Sequence, residues 1–96
     1  MKIKIQTVHF DADQRLEEFV NERLDKLMVR YKKVIRADVT LRLNKDEAQD
    51  NKIAEIRLEV PGSNLFVKKQ SKSFEEAADS AVEVLLRQLE KYKEKR

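Results

Sequence analysis

Residues 53–64, IAEIRLEVPGSN, decide the fold of this chain because they combine a strand pattern with a tight turn. Every second residue from 54 to 60 is apolar, and the residues between them are charged. Strict alternation predicts a strand with one buried and one wet face. Pro61-Gly62-Ser63-Asn64 predicts a turn, and a shorter strand is expected around Leu65 to Lys69. The stretch therefore predicts a β-hairpin.

The same alternation occurs twice on the N-terminal side of the hairpin, at residues 2–8 and 35–43. Each segment is expected to form a half-buried strand. In the second of them, the residues expected to face the core are Ile35, Ala37, Val39, Leu41 and Leu43. Residues 44–52, NKDEAQDNK, are polar and predict a turn.

Two other segments have the three-and-four spacing of amphipathic helices. Their apolar positions run from Leu16 to Tyr31 and from Phe74 to Tyr92. The expected N-terminal caps are Asp11 or Asp13 for the first helix and, as a capping box, Ser73 with Glu76 for the second.

The order of elements is therefore β-α-β-β-β-α, in one domain over residues 1–96. A right-handed crossover makes the first two strands parallel. Two hairpins then make the third strand antiparallel, and the fourth parallel, to the second. We expect an α+β fold with two layers, in which a four-stranded mixed sheet carries two parallel helices packed on one face.

Both predicted helices carry the same charge gradient. Residues 11–22 hold five acids and one base, whereas residues 23–36 hold six bases and one acid. Residues 74–86 hold four acids and no base, whereas residues 87–96 hold five bases and two acids. Complementation of the helix macrodipoles explains the sign of both gradients, but it fades within about one turn. If the helices are parallel, their basic ends form one positive surface.

The spacing of the bases favours an anionic partner. Like charges three or four residues apart on a helix repel one another, so such rows are best explained by a polyanion that follows them. The two rows are Arg23, Lys26, Arg30 and Lys33, then Arg87, Lys91 and Lys95. Lys68, Lys69 and Lys72 lead into the second helix and extend the predicted surface. Recognition of folded RNA through phosphates and shape fits better than sequence-specific DNA readout, for which no helix-turn-helix or zinc-finger spacing is present.

Catalysis and metal binding find little support in the composition. Cysteine is absent, and His9 is the one histidine, so a thiolate nucleophile and a Cys- or His-rich metal site are excluded. No base of matched pKa accompanies the serines and acids. We therefore expect a protein that is not an enzyme and has no cofactor, metal or small-molecule substrate. Without an apolar run of membrane-spanning length, we expect no membrane partner and a cytoplasmic location.

Several segments together resemble a known family. The clearest is residues 85–95, LLRQLEKYKEK, which follows an L-x-R-Q-L-x-K-x-K-x-K pattern. The others are Glu18-Phe19-Val20, Lys26-Leu27, Tyr31 and Pro61-Gly62-Ser63-Asn64-Leu65. In this order the segments resemble the bacterial ribosome hibernation promoting factors, which include the ribosome-associated inhibitor and were once called sigma-54 modulation proteins. Because it ends at Arg96, the chain is expected to be a short form, without the C-terminal domain by which long members dimerise ribosomes.

The resemblance implies a partner and a mode of action. It implies binding to the small ribosomal subunit and its rRNA, in the channel for mRNA and tRNA anticodon arms. Translation would be blocked by occlusion during stress or stationary phase. By position, the family's rRNA-binding residues map to Arg23, Lys26, Lys33, Arg87, Lys91 and Lys95. Spacing adds Arg30, and Lys68 is added because it leads into the second helix. Residues 73–79, SFEEAAD, depart from the family's D-x-Y-A-A-I-D segment by extra acids. The free protein is expected to be a monomer.

Two other functions remain open at this point. The wet face of the sheet, with Arg42, Glu55, Arg57 and Glu59, suits a protein-interaction module that modulates a transcription factor. A generic binder of double-stranded RNA is the second alternative.

Overall fold

The computed structural model describes residues 2–45 and 49–94. Its elements are β1 (Lys2–Val8), α1 (Gln14–Arg30), β2 (Arg36–Leu43), β3 (Lys52–Val60), β4 (Ser63–Ser71) and α2 (Phe74–Glu94). The predicted order β-α-β-β-β-α and the α+β class are confirmed. Within the described residues, neither helix combines the length and apolar character needed to cross a membrane.

The four strands form one sheet in the order β1-β2-β3-β4. β1 is parallel to β2, and the two following pairs are antiparallel. Ile5 lies opposite Val39, Val39 opposite Ile56, and Ile56 opposite Val67. Because side chains alternate across a strand, this row and its equivalents face the helices, and the intervening residues form the other face of the sheet.

The core lies between the sheet and the two helices. Leu24 and Leu27 of α1 and Leu85 and Leu89 of α2 are almost completely buried. Burial of such a side chain stabilises the fold by about 1.5–3 kcal/mol. No polar or charged side chain is buried in the described part of the chain, so polar functional groups there are at the surface.

Both helices begin at a side-chain cap. Asp13 caps α1, where its carboxylate accepts a hydrogen bond from the backbone N–H of Leu16 at 2.9 Å. The hydroxyl of Ser73 accepts from the N–H of Glu76 at 3.1 Å. The carboxylate of Glu76 accepts from the hydroxyl of Ser71 at 2.9 Å. The predicted Ser73 cap is therefore formed, and Glu76 fixes the chain just before the helix through Ser71.

Two details of the strands differ from the prediction. β4 is longer than expected because its turn consists of Pro61 and Gly62 alone, with Val60 already paired to Ser63. Gly62 has φ +78°, a left-handed value that suits glycine in such a turn.

Ile35 was expected to face the core, and this expectation is wrong. The N–H of Val34 donates to the carbonyl of Tyr31 at 3.2 Å, in the turn that follows α1. Val34 consequently takes the buried position, and the Ile35 side chain is 49% exposed.

Candidate nucleic-acid interface

The two helices run in the same direction, which is the arrangement that brings their basic ends together. The guanidinium of Arg23 in α1 lies 2.7 Å from the carboxylate of Asp79 in α2. Further along both helices, the hydroxyl of Tyr31 donates to the carboxylate of Glu90. Because the contact partners advance in the same order along each helix, the C-terminal ends of both helices lie at one end of the molecule.

A groove opens between these two helix ends, and we call it the basic groove. Its volume is about 260 Å³. Its lining residues are Arg30, Tyr31, Lys32, Lys33, Val34, Val60, Leu89, Tyr92 and Lys93. The groove therefore combines apolar and aromatic walls with four cations, and none of its described lining residues is acidic.

The two tyrosines of the basic groove are held by their hydroxyl groups. The hydrogen bond to Glu90, together with burial, raises the pKa of Tyr31 above its ordinary value of 10.0. The Arg30 guanidinium lies 5.3 Å from the centre of the Tyr31 ring, within cation–π range. The hydroxyl of Tyr92 donates to the carbonyl of Pro61 at 2.8 Å. These contacts tie α1 to α2 and tie α2 to the β3–β4 turn.

The predicted row on α1 contains residues in different environments. Arg30 lines the basic groove from the last residue of α1. Lys33 was expected on the helix but lies in the turn that follows it, where it also lines the groove. Lys26 is exposed. Arg23 is already occupied, because it binds Asp79 and Glu22 and its guanidinium lies 4.5 Å from the centre of a phenylalanine ring. The hydrogen bond to Asp79 raises the pKa of Arg23 further.

The described residues of the predicted row on α2 do not line the groove. Arg87 and Lys91 are exposed, but neither is among the lining residues. At 3.6 residues per turn, they lie between the side of α2 that faces α1 and the side above β4, where Gln88 donates to the carbonyl of Phe66. Lys95 lies outside the described residues.

The three lysines before α2 are not brought to the basic groove. Lys68 lies opposite Glu55 in the sheet, on the face that points away from the helices. Lys72 precedes the first residue of α2. Since α2 has 21 residues, it separates Lys72 from the groove by about 30 Å.

Sequence reasoning missed four residues of the groove: Lys32, Lys93, Tyr31 and Tyr92. The two tyrosines lie on the apolar stripes and were assigned to the core. Both occur at the C-terminal ends of the helices, and each is only half-buried. An aromatic residue at the end of a buried stripe, with basic residues around it, is the sequence feature that could have predicted a ligand-facing side chain.

The open face of the sheet has a different character. Lys4, Asp38, Arg57 and Phe66 lie opposite one another across its four strands. The guanidinium of Arg36 lies 2.8 Å from the carboxylate of Asp38, and that of Arg42 lies 3.2 Å from the carboxylate of Glu55. Phe66 is 50% exposed. This face mixes both signs of charge around one aromatic side chain.

The acidic and histidine side chains of the described residues are dispersed. Within residues 2–45 and 49–94, no three His, Cys, Asp or Glu side chains are arranged to hold a metal ion. His9 is exposed in the turn between β1 and α1, with φ 71°. What the described surface offers is a concentration of positive charge at one end, which suits contact with a polyanion.

Comparisons with known proteins agree with this fold. A solved structure of a ribosomal subunit interface protein from Coxiella burnetii matches with a TM-score of 0.86 and 22% identity, covering 97% of this chain and 98% of that chain. The N-terminal domain of Protein Y from Thermus thermophilus matches with a TM-score of 0.79 and 24% identity, over 96% of this chain and 99% of that chain.

The sequence comparisons identify the family. A protein from Pseudomonas putida named ribosome hibernation promoting factor is 26% identical over 95 residues, which cover 99% of this chain and 89% of the relative. Residues 3–96 match the family model described as Sigma 54 modulation protein / S30EA ribosomal protein. The match spans nearly the whole sequence, and the chain belongs to this family.

Proposed function

We propose that this chain binds the small ribosomal subunit and inhibits translation by occupying the channel for mRNA and tRNA anticodon arms. Its basic end would lie against ribosomal RNA, and occlusion would require no catalytic group. The observation that carries the proposal is the meeting of two basic helix ends in one positive surface. The names of the relative from Pseudomonas putida and of the Coxiella burnetii protein support a ribosomal partner.

Within this surface we assign phosphate contacts to exposed cations. They are Lys26, Arg30, Lys32, Lys33, Arg87, Lys91 and Lys93, with Lys95 added from the sequence pattern. Arg23 would join them after exchanging Asp79 for a phosphate. Lys68 lies on the opposite face of the sheet, so it would contact RNA only if the RNA reached around the edge of β4.

A pair of charge reversals tests the proposal. Lys33→Glu with Lys93→Glu changes two cations of the basic groove. Arg15→Glu with Lys45→Glu changes two exposed cations outside it, and the net charge falls by the same amount. We expect the first pair to lose co-sedimentation with small subunits at moderate salt and to stop inhibiting translation in a cell extract. The control pair should retain both. Equal loss in the two pairs would contradict a localised surface.

The generic double-stranded RNA binder predicts a different competition result. We expect arbitrary duplex RNA to displace the protein from small subunits poorly, because the proposed surface fits one folded site. Displacement by duplex RNA at the same concentration as by free small subunits would favour the generic binder.

A protein-interaction function has one specific observation in its favour, the exposed Phe66 on the mixed-charge face of the sheet. Such a face suits a protein partner, because aromatic residues are enriched at protein interfaces. A pull-down after nuclease treatment separates the two functions. Loss of partners after treatment supports the ribosomal proposal. A nuclease-resistant, non-ribosomal partner that Phe66→Ser abolishes would support the second.

A further inference from the structure

We infer that the basic groove accepts one unstacked base of an RNA strand, with the flanking phosphates on the cations at its rim. The inference rests on the proposed function, because it assigns one specific contact within the proposed RNA surface. It changes the expected mode of binding from phosphate contact alone to phosphate contact with a base pocket.

The walls of the groove suit a flat aromatic group. Val34, Val60 and Leu89 belong to the buried core, so the apolar part of the lining is fixed by the fold. Tyr31 and Tyr92 add aromatic rings, on which any base can stack. The volume of about 260 Å³ lies below the range of about 300–1,000 Å³ typical of pockets for drug-sized ligands. A single base fits this description better than a stacked run.

The rings are in place before a ligand arrives. Tyr92 is anchored at the carbonyl of Pro61, and Tyr31 is anchored at Glu90. A preorganised site binds more tightly because less freedom is lost on binding. A role for both rings as core residues alone leaves their half-exposed faces in the groove unexplained.

Charge selects a ligand that carries phosphate. Arg30, Lys32, Lys33 and Lys93 surround the groove, and Glu90 beside it accepts the Tyr31 hydroxyl. A concavity on the outer side of α1 has the opposite character, since three of its six lining residues, Glu18, Glu22 and Asp25, are acidic. A base buried in a continuous duplex cannot enter the groove, so the ligand is a single-stranded or bulged nucleotide.

Two RNAs of equal charge test the base pocket. One is a single-stranded heptanucleotide, and the other is the same strand with an abasic central residue. In fluorescence anisotropy with the isolated protein at low salt, we expect the complete strand to bind roughly tenfold more tightly. Tyr92→Leu should bring this ratio close to one. Tyr92→Phe should lower it less than Tyr92→Leu does, because the ring remains although its hydrogen bond to Pro61 is lost, and neither variant changes the charge.

A measurement on the unaltered protein guards against a misfolded variant. The central residue of the heptanucleotide is replaced by 5-iodouridine, and the photo-crosslinked peptide is identified by mass spectrometry. We expect the crosslink at Tyr31 or Tyr92. A crosslink confined to other residues, such as Phe66, would overturn the inference.

The outcomes separate this inference from the proposed function. Equal binding of the two RNAs overturns the base pocket, even where Lys33→Glu with Lys93→Glu still abolishes co-sedimentation with small subunits. Clear base preference without any co-sedimentation keeps the pocket and overturns the ribosomal proposal. Adenosine monophosphate binding as tightly as the heptanucleotide would overturn the assignment to an RNA strand in favour of a free nucleotide.

Discussion

Two acids of α2, Asp79 and Glu90, determine whether Arg23 and Tyr31 are available to a ligand. Asp79 binds Arg23 at 2.7 Å, and Glu90 accepts the hydroxyl of Tyr31. The first contact neutralises a cation that both spacing and the family resemblance assigned to RNA. The second holds an aromatic ring at the groove without neutralising a cation.

Releasing Arg23 should strengthen RNA binding. Asp79→Asn removes both a negative charge and the main partner of Arg23, so we expect tighter binding to small subunits. The slope of log affinity against log salt should steepen by up to about 0.7–0.9, the value for one added phosphate contact. Glu83→Gln removes an equal charge from an exposed position on α2 and should leave the slope unchanged. Identical slopes in the two variants would show that Arg23 does not reach RNA.

The hydroxyl of Tyr31 should lose its proton at a higher pH than an ordinary tyrosine. Its pKa is raised above 10.0 by Glu90, so the folded state holds this proton more tightly than the unfolded state. The contribution of this proton to the free energy of unfolding is complete below pH 10. It is lost as the pH rises through the higher pKa of the folded state. In Tyr92→Phe, where Tyr31 is the remaining tyrosine, absorbance at high pH reports this group directly. We expect a midpoint above 10 that Glu90→Gln lowers; a midpoint indifferent to Glu90 would contradict the contact.

At the scale of elements, the cap of α2 offers a stability test. Ser73→Ala leaves the N–H of Glu76 without its side-chain acceptor, and we expect a loss of about 1 kcal/mol in the free energy of unfolding. Ser80→Ala is the matched control, since it makes the same change at an exposed position within the same helix. Urea denaturation should show the control at or slightly above the original stability. A Ser73→Ala protein as stable as the control would contradict the cap.

The strands and helices were predictable because their patterns are long and regular. The alternation in residues 53–60 and the apolar stripes fixed which faces are buried, and topology rules then made the helices parallel. Ile35 escaped this reasoning because a turn interrupts the alternation one residue before β2. The length of β4 escaped it because Ser63, Asn64 and Gln70 have low strand propensity and are held by pairing with β3.

The basic groove was harder to predict than the basic rows. Because α1 ends at Arg30, Lys33 lies in the turn after the helix and does not belong to its row. Spacing along one helix identifies which side chains share a face. It does not reveal which residues of two different helices meet. Lys93 and Lys32 line the groove because of the relative placement of α1, α2 and the β3–β4 turn. That placement is a tertiary property. The sequence could have separated Lys68 from the other cations, because Lys68 follows the buried Val67 in a strand and therefore lies on the opposite face of the sheet.

At the scale of the whole molecule, salt should control binding. If the basic end contacts phosphates, affinity for small subunits falls linearly with salt on logarithmic axes. Replacing Lys33 and Lys93 by alanine should reduce the magnitude of the slope by about 1.4–1.8, the sum for two phosphates. The free energy of unfolding should change by less than about 0.5 kcal/mol for each exposed site. An unchanged slope would mean that neither lysine contacts phosphate.

The parallel helices also polarise the molecule from end to end. The described chain measures 43 × 22 × 18 Å, and α2, at about 30 Å, can lie only along the longest of these axes. Acidic helix starts and basic helix ends therefore form opposite poles. Near a polyanion, such a particle experiences a torque that turns its cationic pole forward before collision. The protein is then oriented before it collides with its partner. Added salt weakens this effect, because it screens the field beyond about 8 Å at physiological ionic strength, and the orientation at collision becomes random.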